Sequence, residues 1–204
     1  MKAVNIAKHY GLRMTMSKSQ KYLIEWQKNR DDGWPQWREA KSINDLGSLV
    51  AKWLRCEKSV IPGHVGPPDP ETEHIVEDLI HLNEHGFITV NSQPQLFMQK
   101  SWVSGIATYE TSRIIADRAR EARLLVLREP LEREFRRRSL WQSITGATVI
   151  EPPYREHLIS REVTLREELE TALKHAVALD IQDPGINKRH LWDTVRGALE
   201  EIQP

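Results

Sequence analysis

The stretch that decides the fold is ETEHIVEDLIHLNEHGFITVNSQP, Glu71–Pro94. Its first half repeats apolar residues at helical spacing, with Ile75, Leu79 and Leu82 on one face. Asp69-Pro70 just before it predicts an N-cap followed by proline at the first helical position. Gly86 predicts a stop in the left-handed cap position, so a helix is expected from about Glu71 to His85. Phe87–Asn91 then switches to the two-residue alternation of a strand, and Ser92-Gln93-Pro94 reads as a turn. Alternation would place Thr89 and Asn91 on one strand face, opposite Ile88 and Val90.

The same grammar continues outward from this stretch. Upstream, Ser42 with Asp45 three residues on predicts a capped helix carrying Ile43, Leu46, Val50, Trp53 and Leu54. Trp34–Trp37 marks where the compact domain should begin, and Pro62–Pro70 is a Pro/Gly-rich loop. Downstream, Phe97–Ala107 predicts a strand, Thr108 a helix cap, Tyr109 to about Ala122 a helix, and Leu124–Arg128 another strand. Pro130–Gly146, with an Arg-rich centre, suggests an exposed helix or excursion, and Thr148–Ile150 a further strand. Thr164 and Glu167 form a capping box for a helix reaching His175. Val177–Ile181 predicts a strand, Asp183-Pro184-Gly185 a turn, and Asn187 the cap of a helix ending near Ile202. Helices alternating with single short strands imply an α/β fold in which helices cover a mixed sheet.

Composition bounds the function. The 204 residues are 39% hydrophobic and 28% charged, which suits one globular domain over 34–204 with a basic arm or docking helix over 1–33. Lys+Arg and Asp+Glu are equal at 29 each, which argues against bulk electrostatic capture of nucleic acid. The arm and the Arg133, Arg136, Arg137, Arg138 cluster are the local exceptions: the arm reads as a tail or docking helix and the cluster as a solvated helix face, with nucleic-acid contact as the alternative for each. Cys56 is the only cysteine, so no intrachain disulfide can form. No apolar run reaches the roughly 18 residues a bilayer requires, and the N-terminus lacks the apolar core of a signal peptide. A cytoplasmic protein is expected, with no membrane partner.

No G-x-S-x-G, P-loop, H-E-x-x-H or G-x-G-x-x-G occurs, so no catalytic residues are nominated and a non-enzyme is expected. His74, Asp78, His81 and His85 share a helical face, but no outside ligand points to them, and no metal is expected. The chemistry-bearing feature is the opening stretch itself. A helix start carrying Glu71 and Thr72 would face a strand end carrying Thr89, Asn91, Ser92 and Gln93. Those are ingredients of a pocket for a polar ligand; the same residues can also serve only to cap turns.

The run Pro70–Pro94 resembles the adenosylmethionine-binding regulatory domain of eukaryotic methylenetetrahydrofolate reductases. The shared features are the Glu-Thr helix start and the Thr-x-Asn-Ser-Gln-Pro strand end at the same separation. The likeness continues through Met98–Trp102, Thr108–Arg118, Leu124–Leu127, Ala178–Asp183 and Leu191–Val195. The chain also resembles a family of uncharacterised small proteins from actinobacteria and their phages. The first resemblance implies S-adenosylmethionine or S-adenosylhomocysteine as ligand, held by Glu71, Thr72, Thr89 and Ser92, with Thr148 as a further contact. It also implies a module without its enzyme, since the catalytic barrel alone needs about 250 residues. The expected function is a non-catalytic binding module for that nucleoside or a relative, acting in sensing or sequestration. The alternative is a protein-interaction or inhibitor domain of phage type, acting on a host factor or an immune nucleotide signal.

Overall fold

The computed structural model describes residues 34–58, 60–61, 64–65, 67–95, 100–131, 166–185 and 189–202. Two helices open the described chain, α1 (Trp34–Glu39) and α2 (Ile43–Leu54). A two-residue antiparallel pair follows, β1 (Val60–Ile61) with β2 (His64–Val65). Then come a 3₁₀ turn (Pro70–His74), α3 (Val76–Glu84), β3 (Ile88–Gln93) and β4 (Trp102–Ala107). The remaining elements are α4 (Tyr109–Glu121), β5 (Leu125–Pro130), α5 (Glu167–Lys174), β6 (Val177–Gln182) and α6 (His190–Glu200). The expected α/β architecture is present, and the four long strands form one sheet in the order β3-β4-β6-β5.

Every strand pair in that sheet is antiparallel, so among the described residues the sheet is not mixed. The reason lies in the order of insertion. β4, α4 and β5 form a crossover unit whose two strands run parallel, which alone would give a mixed sheet. The later strand β6 enters between them, antiparallel to both.

Local chemistry accounts for the helix ends. Ser42 accepts from the Asp45 amide, and the Asp45 carboxylate accepts from the Ser42 amide, a reciprocal capping box. The amides of Lys41 and Ser42 and the Ser42 hydroxyl hold Asp45 below the usual carboxylate range. Thr108 caps α4 by accepting from the Thr111 amide. Gly86 ends the α3 region at φ +85, as expected of a residue free to adopt the left-handed region.

The helix expected from Glu71 is divided. Pro70–His74 forms a 3₁₀ turn, Ile75 at φ −126 breaks the path, and the α-helix starts at Val76. Burial of the Ile75 side chain accompanies that break. Asp69 precedes the turn, but its side chain makes no capping hydrogen bond, while Pro70 sits at the first position as predicted. Ser92 and Gln93, expected in a turn, continue β3 opposite Val103 and Trp102. The ladder to β4 holds them extended. The Thr148–Ile150 strand, the Thr164 and Asn187 caps, the arm over 1–33 and the Arg133–Arg138 cluster lie outside the described residues.

One hydrophobic core joins both layers. Trp37, Leu46, Leu54, Leu82, Phe87, Ile88, Ile106, Ile115, Leu169, Leu179 and Trp192 are all buried to within 2% of full enclosure. Two glycines permit the closest approaches. A Cβ at Gly47 in α2 would stand 2.1 Å from the Asn83 carbonyl oxygen in α3. A Cβ at Gly105 in β4 would stand 2.4 Å from the Ile88 carbonyl oxygen and 2.5 Å from the Phe87 ring.

Helix propensity and packing give opposite signs at Gly47, and the magnitudes decide between them. Alanine in an exposed helix interior stabilises by up to about 1 kcal/mol over glycine. Forcing α2 off α3 costs about 2–3 kcal/mol. Gly47→Ala is therefore expected to lower the urea midpoint; a raised midpoint would show that the α2–α3 approach is not tight.

Candidate functional site

The site is organised by a register shift in β3. Ile88 pairs with Ile106 and Thr89 with Gly105, but Asn91, not Val90, pairs with Ser104. The extra residue is a β-bulge, and it reverses the faces downstream. Paired residues share a face, and Gly105 and Val103 are two apart on β4. Thr89 opposite Gly105 and Ser92 opposite Val103 therefore lie on the same face. Asn91, opposite Ser104, lies on the other. The expected pairing of Thr89 with Asn91 on one face is thus replaced by Thr89 with Ser92.

The face carrying Thr89 and Ser92 is the one α3 and α4 cover. Thr89, Gly105, Leu179 and Arg128 form one row across the four strands. At one end of this row, Thr89 bonds to Asn83 of α3. At the other, Arg128 donates to Ser112 Oγ and the Tyr109 carbonyl oxygen and stacks 4.3 Å from the Tyr109 ring centroid.

Asn83 is fully buried and satisfied on three sides. Its Nδ2 donates to the Leu79 carbonyl and the Thr89 hydroxyl, both at 2.7 Å, and its Oδ1 accepts from the Thr89 amide at 3.0 Å. Thr89 therefore has a structural task as well as the ligand role inferred for it. One lone pair of its hydroxyl is committed to Asn83, while the hydroxyl hydrogen can still be offered elsewhere.

Ser92 is half-buried, its amide donating to Asn91 Oδ1. Glu71 is exposed and Thr72 half-buried, both on the 3₁₀ turn, which packs against β3. The geometry explains that contact. α3 connects to β3 through a tight turn at Gly86, so the two run antiparallel. Nine helical residues at 1.5 Å span about 14 Å, and Thr89 to Ser92 at 3.3 Å per residue spans about 10 Å. The residues before α3 therefore come level with the far end of β3. The Glu71–Thr72 turn packs against β3, and Thr89 lies under α3, bonded to Asn83. Thr148 lies outside the described residues.

Polar side chains collect at this sheet end, and the sequence reading did not single them out. Ser101, Gln182 and Asp183 are buried beside the last rung of the β4–β6 ladder, and Gln95 is buried just beyond β3. Among the described residues Ser101 Oγ, Asp183 Oδ2, Gln95 Oε1 and Gln182 Oε1 have no hydrogen-bond partner. Asp183 reads in sequence as the start of a turn, and it is one: its Oδ1 accepts from the Gly185 amide at 2.7 Å. The available signal was a polar pair, Gln182-Asp183, closing a strand whose only other polar residue is Asp180.

The His/Asp face of α3 has other partners. The buried Asp78 receives a bidentate pair from Arg189 at 2.7 and 2.9 Å, with Arg196 at 3.8 Å. His81 and His85 stack with ring centroids 3.9 Å apart, and His85 Nδ1–H donates to the His81 carbonyl. No group of three or more His, Cys, Asp or Glu that could hold a metal ion occurs among the described residues. No described helix is long and apolar enough to cross a membrane.

A model of the family described as "Domain of unknown function (DUF6919)" matches residues 32–202. Methylenetetrahydrofolate reductase 2 of Saccharomyces cerevisiae is 40% identical over 60 residues, covering 29% of this chain and 10% of that protein. Methylenetetrahydrofolate reductase 1 of Schizosaccharomyces pombe is 36% identical over 65 residues, covering 32% of this chain and 11% of that protein. The chain therefore spans about a tenth of the length of these relatives.

Two expectations follow from the side chains. Thr89→Val keeps the shape but leaves Asn83 Nδ2 one acceptor short, and should cost about 1–3 kcal/mol in urea unfolding. A neutral result would mean the Asn83 clamp carries no stability. The second concerns pH. Burial, and then the nearby charges of His85 and Arg196, lower the His81 pKa, with Glu200 and Glu84 opposing. A depressed folded-state pKa means that the unfolded chain binds the proton more readily. The His81 contribution is thus fully present above about pH 6.5, the unfolded value, and is lost as pH falls through the folded value. His81→Gln should flatten the loss of stability between pH 7 and pH 5; an unchanged slope assigns it to other groups.

Proposed function

We propose a function from the premise that this chain belongs to the DUF6919 family: it is a non-catalytic module that binds a small adenine-containing ligand. S-adenosylmethionine or S-adenosylhomocysteine is the favoured ligand, and sensing or sequestration the favoured role, in the cytoplasm. The observation that carries this reading is the bulge in β3, which places Thr89 and Ser92 on one face with the Glu71–Thr72 turn packed against the same strand. Partial identity with two methylenetetrahydrofolate reductases supports the choice of ligand.

The chemistry is that of recognition. Glu71 offers a carboxylate that can accept ribose hydroxyls or offset a cationic sulfur. Thr72 and Ser92 offer hydroxyls that donate and accept. Thr89 fixes the floor through Asn83. None of these groups is a nucleophile with a positioned base, so binding without turnover is the role they fit.

Melting curves test the proposal. A ligand at one hundred times its Kd should stabilise the native state by about 2.7 kcal/mol. Adenosylmethionine or adenosylhomocysteine should therefore raise Tm in a concentration-dependent way. Glu71→Ala and Ser92→Ala, at partly open positions, should leave the ligand-free Tm nearly unchanged and abolish the shift. A wild-type chain indifferent to every adenine-containing ligand would sink the proposal.

A further inference from the structure

We infer that Ser101 and Asp183 form a subsite for a protonated amine on the ligand of the site just proposed, an inference that rests on that reading. The Asp183 amide donates to the Ser101 carbonyl at 3.0 Å, which extends the β4–β6 ladder one pair beyond Trp102 and Gln182. Alternation then puts both side chains on the face of Val103 and Ile181, the face that also carries Ser92 and Thr89. Ser101 lies two residues along β4 from Val103, the partner of Ser92. That spacing is about 7 Å along the strand. The new pair and the proposed site are therefore neighbours at one end of one sheet face.

Both side chains are enclosed, Ser101 at 0% and Asp183 at 2% exposure, and among the described residues Ser101 Oγ and Asp183 Oδ2 have no partner. Asp183 Oδ1 is already held by the Gly185 amide, so the carboxylate is fixed with its second oxygen uncommitted. A buried acceptor without a donor is costly, and most for a carboxylate. Solvent does not reach either atom, and a ligand group that moved in against them would supply the donor.

The character of that group follows from the acceptors. Asp183 Oδ2 can only accept when ionised, and Ser101 Oγ can accept while passing its own hydrogen on. A compact group with several N–H donors and a positive charge satisfies both, and a protonated amine is such a group. A divalent metal fits less well. Among the described residues no group of three or more His, Cys, Asp or Glu could hold a metal ion, and hard cations collect several oxygen ligands with more negative charge.

Three ligands and two variants test this. Adenosylhomocysteine and 5′-methylthioadenosine share the nucleoside and a neutral sulfur, but only the first carries the amino-acid tail. Adenosylmethionine adds the sulfonium. Calorimetric titration of the full chain should show wild type binding adenosylhomocysteine more tightly than methylthioadenosine. Asp183→Asn should weaken the tailed ligands about tenfold or more and leave methylthioadenosine unchanged. Ser101→Ala should act in the same direction, and serves if Asp183→Asn does not fold. Equal wild-type affinity for tailed and tailless ligands, or equal weakening of both by the variants, would overturn the subsite while leaving the ligand reading standing. Failure of wild type to bind any of the three would bring down both.

Discussion

The structure depends on one strand. β6 is the last strand in sequence yet lies inside the sheet, paired along its whole length with β4 on one side and β5 on the other. All six of its residues are buried. Without it, β4 and β5 are separate edges joined only through α4, and their rows do not meet. One of its two polar members shows what a central strand must satisfy: Asp180 takes a hydrogen bond from Ser104 on β4, so a carboxylate is accommodated inside the sheet. The ladder that β6 makes with β4 also carries Asp183 and Ser101 into place. Fold and candidate site therefore share one long-range ladder, with high sequence separation between the partners.

A second constraint works locally. Gly86 turns the chain so tightly that α3 must lie back along β3, and Asn83 welds the two by bonding the Thr89 amide and hydroxyl. α2 then closes on the outside through Gly47, whose missing side chain admits the Asn83 backbone. Arg189 ties the start of α6 to Asp78 on α3. These contacts fix where the 3₁₀ turn can be. A helix laid antiparallel on a strand places its preceding residues at the strand's far end. The turn carrying Glu71 and Thr72 consequently packs against β3.

What could be read in the sequence divides along the same line, between local and non-local causes. The Ser42–Asp45 box, the Thr108 cap, the Gly86 stop and the Asp183-Pro184-Gly185 turn were all legible, because each is decided within four residues. The spacing of Ile75, Leu79 and Leu82 also named a buried face correctly. The bulge at Val90 was not legible, since it is a property of the β3–β4 register, and neither strand alone states it. That single residue reversed Asn91 and Ser92 relative to the alternation of an unbroken strand. The antiparallel sheet escaped for the same reason: it follows from β6 pairing with both β4 and β5, which no single segment states. Of the residues inferred from resemblance, Thr89 and Ser92 share a face of β3 and the Glu71–Thr72 turn packs against that strand, but the resemblance could not say that Thr89 also holds the fold.

Thr89 and Asp183 mark two ways of placing polar groups on a covered sheet face. Thr89 sits in a row whose ends are bonded to helices, so its amide and one hydroxyl lone pair serve the architecture. Asp183 sits one pair beyond the last described rung, where the ladder no longer dictates what its side chain must do. Strand ends are where a fold can leave a buried acceptor without disturbing the hydrogen bonds that hold the sheet. Leaving one there costs stability, and such costs persist in proteins mainly where a function draws on them. A ligand that supplied the missing donor would recover that free energy on binding. On the proposed reading, the same carboxylate that weakens the ligand-free chain would strengthen its grip on an amine, so discrimination between ligands would be set at Asp183 more than at the hydroxyls around it.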